Sequence, residues 1–377
     1  PRRRFELRLR ARMRRSATRP ILGRALSAVL DAAGAWPRGP GIGRGVAGQP
    51  ESASGRRLVA LTLLYGGSWS PLFVRILRHL RSLGFQPPVL VVAIGEDAYR
   101  ACRAAARLSH DWSSPRVACW RPDTASQVHR FTIIHILLHL GVDTFYFDMD
   151  TFFFRDPLPA VLEQAERGRL DTLFSSHADG DCINIGVFYI RATRRSTVWF
   201  SQFLEYYHDH QYECDQRSLN VFLGFPLRSD ISELGISFPP EPISPIRAGV
   251  LEDWNAFVIG WIGWAGDISR MVCFHWCNIP LERKWRELGQ IYDAAEAAVQ
   301  HGLPIGVALA SASPGWAPPP RAASDPPVLP PGAGVVARAN EAADLLPASG
   351  LWPLVQRARR IFDAYRLPAV AERGICW

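Results

Sequence analysis

Lysine is almost missing. The sequence holds 43 Lys and Arg side chains, and Lys284 is the one lysine among them. Lysine is a compact point charge and arginine a planar fork, so the two are not interchangeable and the place of the single lysine is informative. Long apolar runs are missing too. No stretch of about 18 apolar residues occurs, the length a membrane-spanning helix needs. Residues 21–30 come nearest, and Arg24 interrupts them. Cysteine is sparse: seven residues, at 102, 119, 182, 214, 273, 277 and 376. That is too few and too scattered for a disulfide scaffold, and the odd count leaves one unpaired within a monomer. Cys273 and Cys277 bracket His275, but no second Cys/His pair follows at finger spacing, which argues against a structural zinc site. Evenly spread charge is also lacking. The net charge is +8, residues 1–24 carry +9 from ten arginines and Glu6, and the remainder is −1. Phe5 is the one aromatic among these arginines, so nucleic acid is not an expected partner. The basic stretch reads as a solvated or targeting tail. The chain starts at Pro1 rather than Met, so membrane association through an anchor ahead of it is an expectation.

What is present divides into four parts. Residues 1–55 read as a basic Arg-rich tail and Gly/Pro linker without fixed structure. Residues 56–300 read as one α/β domain, 301–335 as a Pro/Ala-rich linker and 336–377 as a C-terminal helical segment. Within the domain, apolar runs at 58–64, 89–94, 116–120 and 144–147 read as buried strands. Between them, 71–83, 96–107 and 125–140 carry helical spacing. Strands at 171–175 and 183–190, helices at 194–208 and 214–223, and a short strand at 271–275 follow. Alternating strands and helices predict a mostly parallel sheet with helices on both faces. In such sheets ligands bind beyond the carboxyl ends of the strands.

Asp148 and Asp150 fall at such an end, in Phe145-Tyr146-Phe147-Asp148-Met149-Asp150-Thr151. Two carboxylates at i and i+2 in a non-helical turn can both approach one hard divalent cation, which also accepts phosphate oxygens. The same residues read as DxDxT, with Asp148 an aspartyl nucleophile and Asp150 its general acid, as in haloacid-dehalogenase-like phosphatases. That family carries the motif near the start of its domain, whereas here it comes about 90 residues in. Asn184 and Gly186 interrupt the strand at 183–190, marking either a close approach or a bulge. Asp215 and Gln216 open a helix, where Asp215 could simply be its cap. His275 can ligate a divalent ion, and Lys284 can meet a phosphate. His135 and His139 are spaced i, i+4, but Ile136 stands where a zinc protease needs Glu, so they read as packing residues. Trp254, Trp261 and Trp264 could stack on a sugar, with core packing the safer reading.

Five ordered blocks, "VLVVAIGEDAYRAC", "RFTIIHILLHLGVDTFYFDMDTFFFRDPL", "INIGVFYIRAT", "CDQRSLN" and "CFHWCN" with the later lysine, resemble the nucleotide-diphospho-sugar transferases. The nearest branch is similar to the plant and algal xylosyl-, galactosyl- and arabinosyltransferases. The resemblance spans roughly residues 57–290. It implies a GT-A fold, one Rossmann-like α/β domain, and transfer of a sugar from a UDP-sugar to a glycan or glycoprotein acceptor, with retention. It implies Mn²⁺ or Mg²⁺ on Asp148, Asp150 and His275. Asp148, Asp150, Arg130, Asn184, Gly186 and Lys284 would bind the donor, with Asn184 and Gly186 lining the sugar pocket. Asp215 and Gln216 would stand at the reacting sugar. A Golgi or secretory lumen is the implied location. The alternatives are the phosphatase and a non-catalytic glycan-binding protein of the same fold.

Overall fold

The apolar runs become a covered sheet. The structure is a computed structural model, and it describes residues 25–31, 57–66, 69–111, 115–122, 129–176, 183–209, 215–223, 246–251, 256–260, 268–277, 279–312 and 351–366. Strands β1 (Arg57–Tyr65), β2 (Val89–Ile94), β3 (Val117–Trp120) and β4 (Val142–Phe147) lie parallel in the order β3-β2-β1-β4. Every residue of β2 and β4 is buried. Continuous apolar runs, not alternating ones, are what a sheet covered on both faces requires. Crossovers α1 (Ser70–Ser82), α2 (Glu96–Leu108) and α3 (His129–His139) link the strands. The pleat of β1 splits its side chains: Ala60 and Leu64 join the core under α1 and α2, while Val59, Leu61 and Leu63 join the core under α3.

After β4 the chain makes a detour that builds the site. Strand β5 (Thr151–Phe153) leaves the main sheet, and α4 (Leu158–Arg167) follows. Then β6 (Thr172–Ser176) and β7 (Ile183–Ile190) complete the main sheet, with β7 antiparallel to both β4 and β6. Helices α5 (Arg194–Asp209) and α6 (Asp215–Leu223) cover the α3 face. Strand β8 (Ala248–Val250) ends the sheet beside β6. A second, three-stranded sheet pairs β5 with β10 (Cys273–His275) and β10 with β9 (Phe257–Ile259). Gly141, at φ 72°, ends α3 in the left-handed conformation that glycine adopts freely and turns the chain into β4.

Several expectations need correction. Within the expected tail, residues 25–31 are helical, and Leu26 and Leu30 are buried beside α3. The expected linker at 301–335 opens with helix α8 (Ile305–Ser311), because Ile305, Ala308 and Leu309 supply an apolar face that the Pro/Ala count conceals. Helix α9 (Trp352–Asp363) follows, and Val355, Ala358 and Phe362 join the same core as α1. Within 336–377, residues 351–366 are thus part of that core rather than a segment apart. The long helix α7 (Leu281–Gln300) precedes α8 and packs against both α1 and α9. Cys102 of α2 and Cys119 of β3 form a disulfide, with Cα atoms 5.9 Å apart. Residues 1–24, 32–56 and 313–350 lie outside the described residues, as do Trp254, Trp261 and Trp264.

Candidate metal centre

Strand β4 delivers Asp148 at its carboxyl end, and the turn at 148–150 places Asp150 two residues on, at the start of β5. The main-chain N–H of Asp148 donates to Gly186 O across to β7 at 2.7 Å, and Thr151 N–H closes the turn on Asp148 O at 3.1 Å. Strand β10 runs antiparallel to β5, pairing His275 with Thr151. That register brings His275 Nε2 to 3.2 Å from Asp150 Oδ1 and 3.6 Å from Asp148 Oδ2. One ligand atom from each of Asp148, Asp150 and His275 lies within 4.8 Å of the others. Among the described residues this is the one such group of metal-ligating side chains.

The imidazole's orientation is fixed from behind. His275 Nδ1 lies 3.1 Å from Asn184 Oδ1, which also accepts the Gly186 N–H at 2.8 Å. An oxygen that accepts a main-chain N–H is the carbonyl end of the carboxamide, so Nδ1 carries a proton toward it. Asn184 Nδ2 in turn points to Cys277 Sγ at 3.5 Å. In the neutral ring Nε2 therefore offers its lone pair to the space between two carboxylates. Two acids and a lone pair converging on one point suit a cation, and a buried His held through its second nitrogen is how metal-ligating histidines are oriented. The donor set fits a hard or borderline divalent ion.

The two carboxyls sit in different fields. Burial pushes Asp148 up against the pull of Arg130, and the neighbouring Asp150 charge adds to the rise. Burial also acts on Asp150, but His275 and Lys284 outweigh it and hold Asp150 below the usual carboxylate range. Lys284, the sole lysine, enters from the first turn of α7 and donates to Asp150 Oδ2 at 2.6 Å. On the other side Arg130 of α3 pairs with Asp215 at the start of α6 and stands 3.5 Å from Asp148 Oδ1. Tyr146, one strand step before Asp148, donates its hydroxyl to Asp148 Oδ1 at 2.5 Å and accepts from Arg130 at 3.1 Å. Burial and the flanking acids raise the Tyr146 hydroxyl well above its ordinary range, despite Arg130, so it stays protonated and donating. Tyr65 at the end of β1 adds a buried hydroxyl that has no hydrogen-bond partner among the described residues.

All nine residues singled out by the resemblance are thus found around one strand end. Asn184 and Gly186, expected to line a sugar pocket, stand behind His275. Asn184 is fully buried, and a Cβ on Gly186 would fall 2.0 Å from His275 Cε1. Gln216 is half-buried and accepts from Ile185 N–H on β7 at 3.2 Å. Asp215 pairs with Arg130 and also accepts the Gln216 N–H at 2.9 Å, a local contact of the helix start. The sequence reading missed Tyr146, Tyr65 and Cys277. Tyr146 was legible as the one hydroxyl in an aromatic run ending at an acid, at the spacing that returns to the same strand face. His135 and His139 touch each other at 3.1 Å, and His135 reaches Ser201 of α5 at 2.6 Å, away from the triad. Burial pushes the Cys277 thiol up to about 12, with Asp150 adding to it.

The nucleotide-diphospho-sugar transferase family matches residues 84–278, and the chain belongs to that family. That family is one of sugar transferases, and the fold is mixed α/β with a mostly parallel main sheet. No curated protein sequence matches. Among solved structures, the glycosyltransferase GlyE of Streptococcus pneumoniae TIGR4 is 12% identical, with a TM-score of 0.38. The match covers 65% of this chain and 64% of GlyE. An active-site mutant of LgtC is 10% identical over 61% of this chain and 94% of its own, with a TM-score of 0.37. The mannosyltransferase PcManGT of Pyrobaculum calidifontis, solved with GDP-Man and Mn²⁺, is 12% identical over 85% and 78%, with a TM-score of 0.35.

Proposed function

We propose that this glycosyltransferase uses a UDP-sugar and a divalent ion, Mn²⁺ or Mg²⁺, to extend a glycan or glycoprotein, retaining the anomeric configuration. The observation that carries the metal reading is the fixed imidazole: Asn184 orients His275 so that Nε2 faces Asp148 and Asp150. The reading gives Asp148, Asp150 and His275 the ion, which when bound supplies Lewis-acid neutralisation of the diphosphate. Lys284 pairs with Asp150 in the free protein and is placed to turn toward a phosphate oxygen as negative charge grows on the leaving group. Arg130 and Tyr146 fix the Asp148 carboxylate from the opposite side. Asp215, held by Arg130, is assigned with Gln216 to the electron-poor sugar carbon. Asn184 and Gly186 are assigned to shaping the site through His275. The Tyr65 hydroxyl is assigned to the bound donor.

A secretory, lumenal location accords with the Cys102–Cys119 disulfide, since such bonds persist in oxidising compartments. No helix of the described residues is long and apolar enough to cross a membrane. The phosphatase and glycan-binding readings gain no support from the geometry. A phosphatase nucleophile should be free to attack, whereas Asp148 is engaged by Tyr146 and Arg130.

Calorimetric titration of UDP and GDP, with and without Mn²⁺, tests the reading directly. UDP binding that requires Mn²⁺ and is lost in Asp150→Asn supports it. Metal-independent binding, or a preference for GDP, contradicts the metal or the donor assignment respectively.

A further inference from the structure

Glu287 is a buried acid that the transfer chemistry does not use. It lies one turn after Lys284 on α7 and is 7% exposed. A buried carboxylate is costly unless donors surround it, and here three do. Trp276 Nε1–H donates to Oε2 at 2.8 Å, the Tyr365 hydroxyl donates to the same oxygen at 2.7 Å, and Arg283 Nε–H donates to Oε1 at 2.6 Å.

Two of the three donors come from segments that serve the metal centre. Trp276 directly follows His275, and its main-chain N–H donates to Asp150 O at 2.9 Å. Its indole is fully buried, with its ring centroid 4.4 Å from that of Phe274 and 5.9 Å from that of Phe362. Arg283 neighbours Lys284 and lies over the Tyr365 ring at 4.9 Å. Tyr365 comes just after α9, outside the stretch that matches the family. Helix α9 is itself held by Arg359 Nη1–H donating to Leu309 O of α8 at 3.0 Å, and Phe362 meets the Phe152, Phe154 and Phe274 rings of the small sheet.

We propose that Glu287 is a positioning residue for the metal centre, and that Tyr365 makes the C-terminal helix a working part of the site. One carboxylate ties the strand carrying His275 to the helix carrying Lys284, and Tyr365 locks that carboxylate in place. The inference rests on the metal reading of Asp148, Asp150 and His275. It gives α9 a role in function rather than in bulk packing alone.

The test is Mn²⁺ binding to the full chain, read by electron paramagnetic resonance, alongside thermal unfolding. Loss of a partner behind a metal ligand typically weakens affinity about 10–100-fold. Glu287→Ala is expected in that range and Tyr365→Phe at about threefold. Glu287→Gln, which keeps an acceptor for Trp276 and Tyr365, restores affinity to within about threefold of wild type. Leu137→Ala, buried two turns further along α3 from Arg130, serves as a control of comparable thermal loss and keeps wild-type affinity. If Glu287→Ala fails to fold, Tyr365→Phe against the control decides the matter. Wild-type affinity in both Glu287→Ala and Tyr365→Phe, with unfolding lowered, overturns the proposal and leaves the network structural. No Mn²⁺ bound by the wild type overturns the metal reading itself, and the inference with it.

Discussion

His275 lies flat against Gly186. A Cβ at position 186 would fall 2.0 Å from Cε1 and 2.4 Å from Nδ1 of that ring. Glycine is required here by space, since the backbone must let the imidazole reach Asn184 on the same strand. Gly186→Ala should push the ring out of line with Asp148 and Asp150. We expect Mn²⁺ affinity to fall about tenfold or more and stability to fall by about 1–3 kcal/mol from overpacking. Metal titration and chemical denaturation check the two effects separately.

Lys284 donates to Asp150 Oδ2 at 2.6 Å, and its assigned role is at the departing diphosphate. Lys284→Ala should cut kcat by about 10²–10³-fold, as loss of a charge-stabilising donor does, while Mn²⁺ still binds. Lys284→Arg should rescue little, because a planar fork does not replace a point charge in an enclosed site. Steady-state kinetics with saturating Mn²⁺ separate these outcomes from loss of metal.

His79 supplies a pH dependence distinct from the site. It is buried in α1, its Nε2 is 2.6 Å from Phe153 O, and it stacks on Phe152 with ring centroids 4.6 Å apart. Burial lowers it from 6.5 to about 4, against the partial opposition of the Phe153 carbonyl. Between those values the unfolded chain holds a proton that the folded one does not, so stability falls as pH drops from 6.5 to 4. The contribution is fully present above pH 6.5 and amounts to about 3 kcal/mol. Denaturant melts across that window should show the slope in the wild type and lose most of it in His79→Gln.

The Cys102–Cys119 bond closes a loop with a sequence separation of 17 and pins the edge strand β3 to α2. A loop of about this length is worth about 3 kcal/mol by the chain-entropy account. The double substitution Cys102→Ser with Cys119→Ser should lower unfolding stability by about 2–4 kcal/mol. Reductant should destabilise the wild type by the same amount and leave the variant unchanged.

The main sheet was legible because its central strands are buried on both faces. Such strands write themselves as unbroken apolar runs, and 89–94 was read with its observed bounds. The triad and Lys284 were legible because acids, His and the lone Lys stand out against the composition. The small sheet was not. β5 and β9 are three residues each, too short to show a period, and β10, which pairs with both, arrives more than 100 residues after β5. The disulfide partners, the tie of Glu287 to Trp276 and Tyr365, and the contact of Phe362 with Phe152 are likewise long-range contacts with no local signal. Asn184 stands out in the sequence as a polar break in an apolar strand, but its contact with His275 Nδ1 depends on β10, 91 residues away.

The central claim is that Asp148, Asp150 and His275 hold a divalent ion for transfer from a UDP-sugar. The most direct measurement is nucleotide release from a panel of UDP-sugars and GDP-mannose, with Mn²⁺ or with chelator, in wild type and Asp150→Ala. The account predicts UDP release from at least one UDP-sugar that needs Mn²⁺ and disappears in the variant. Undiminished release in chelator, or in Asp150→Ala, would contradict it.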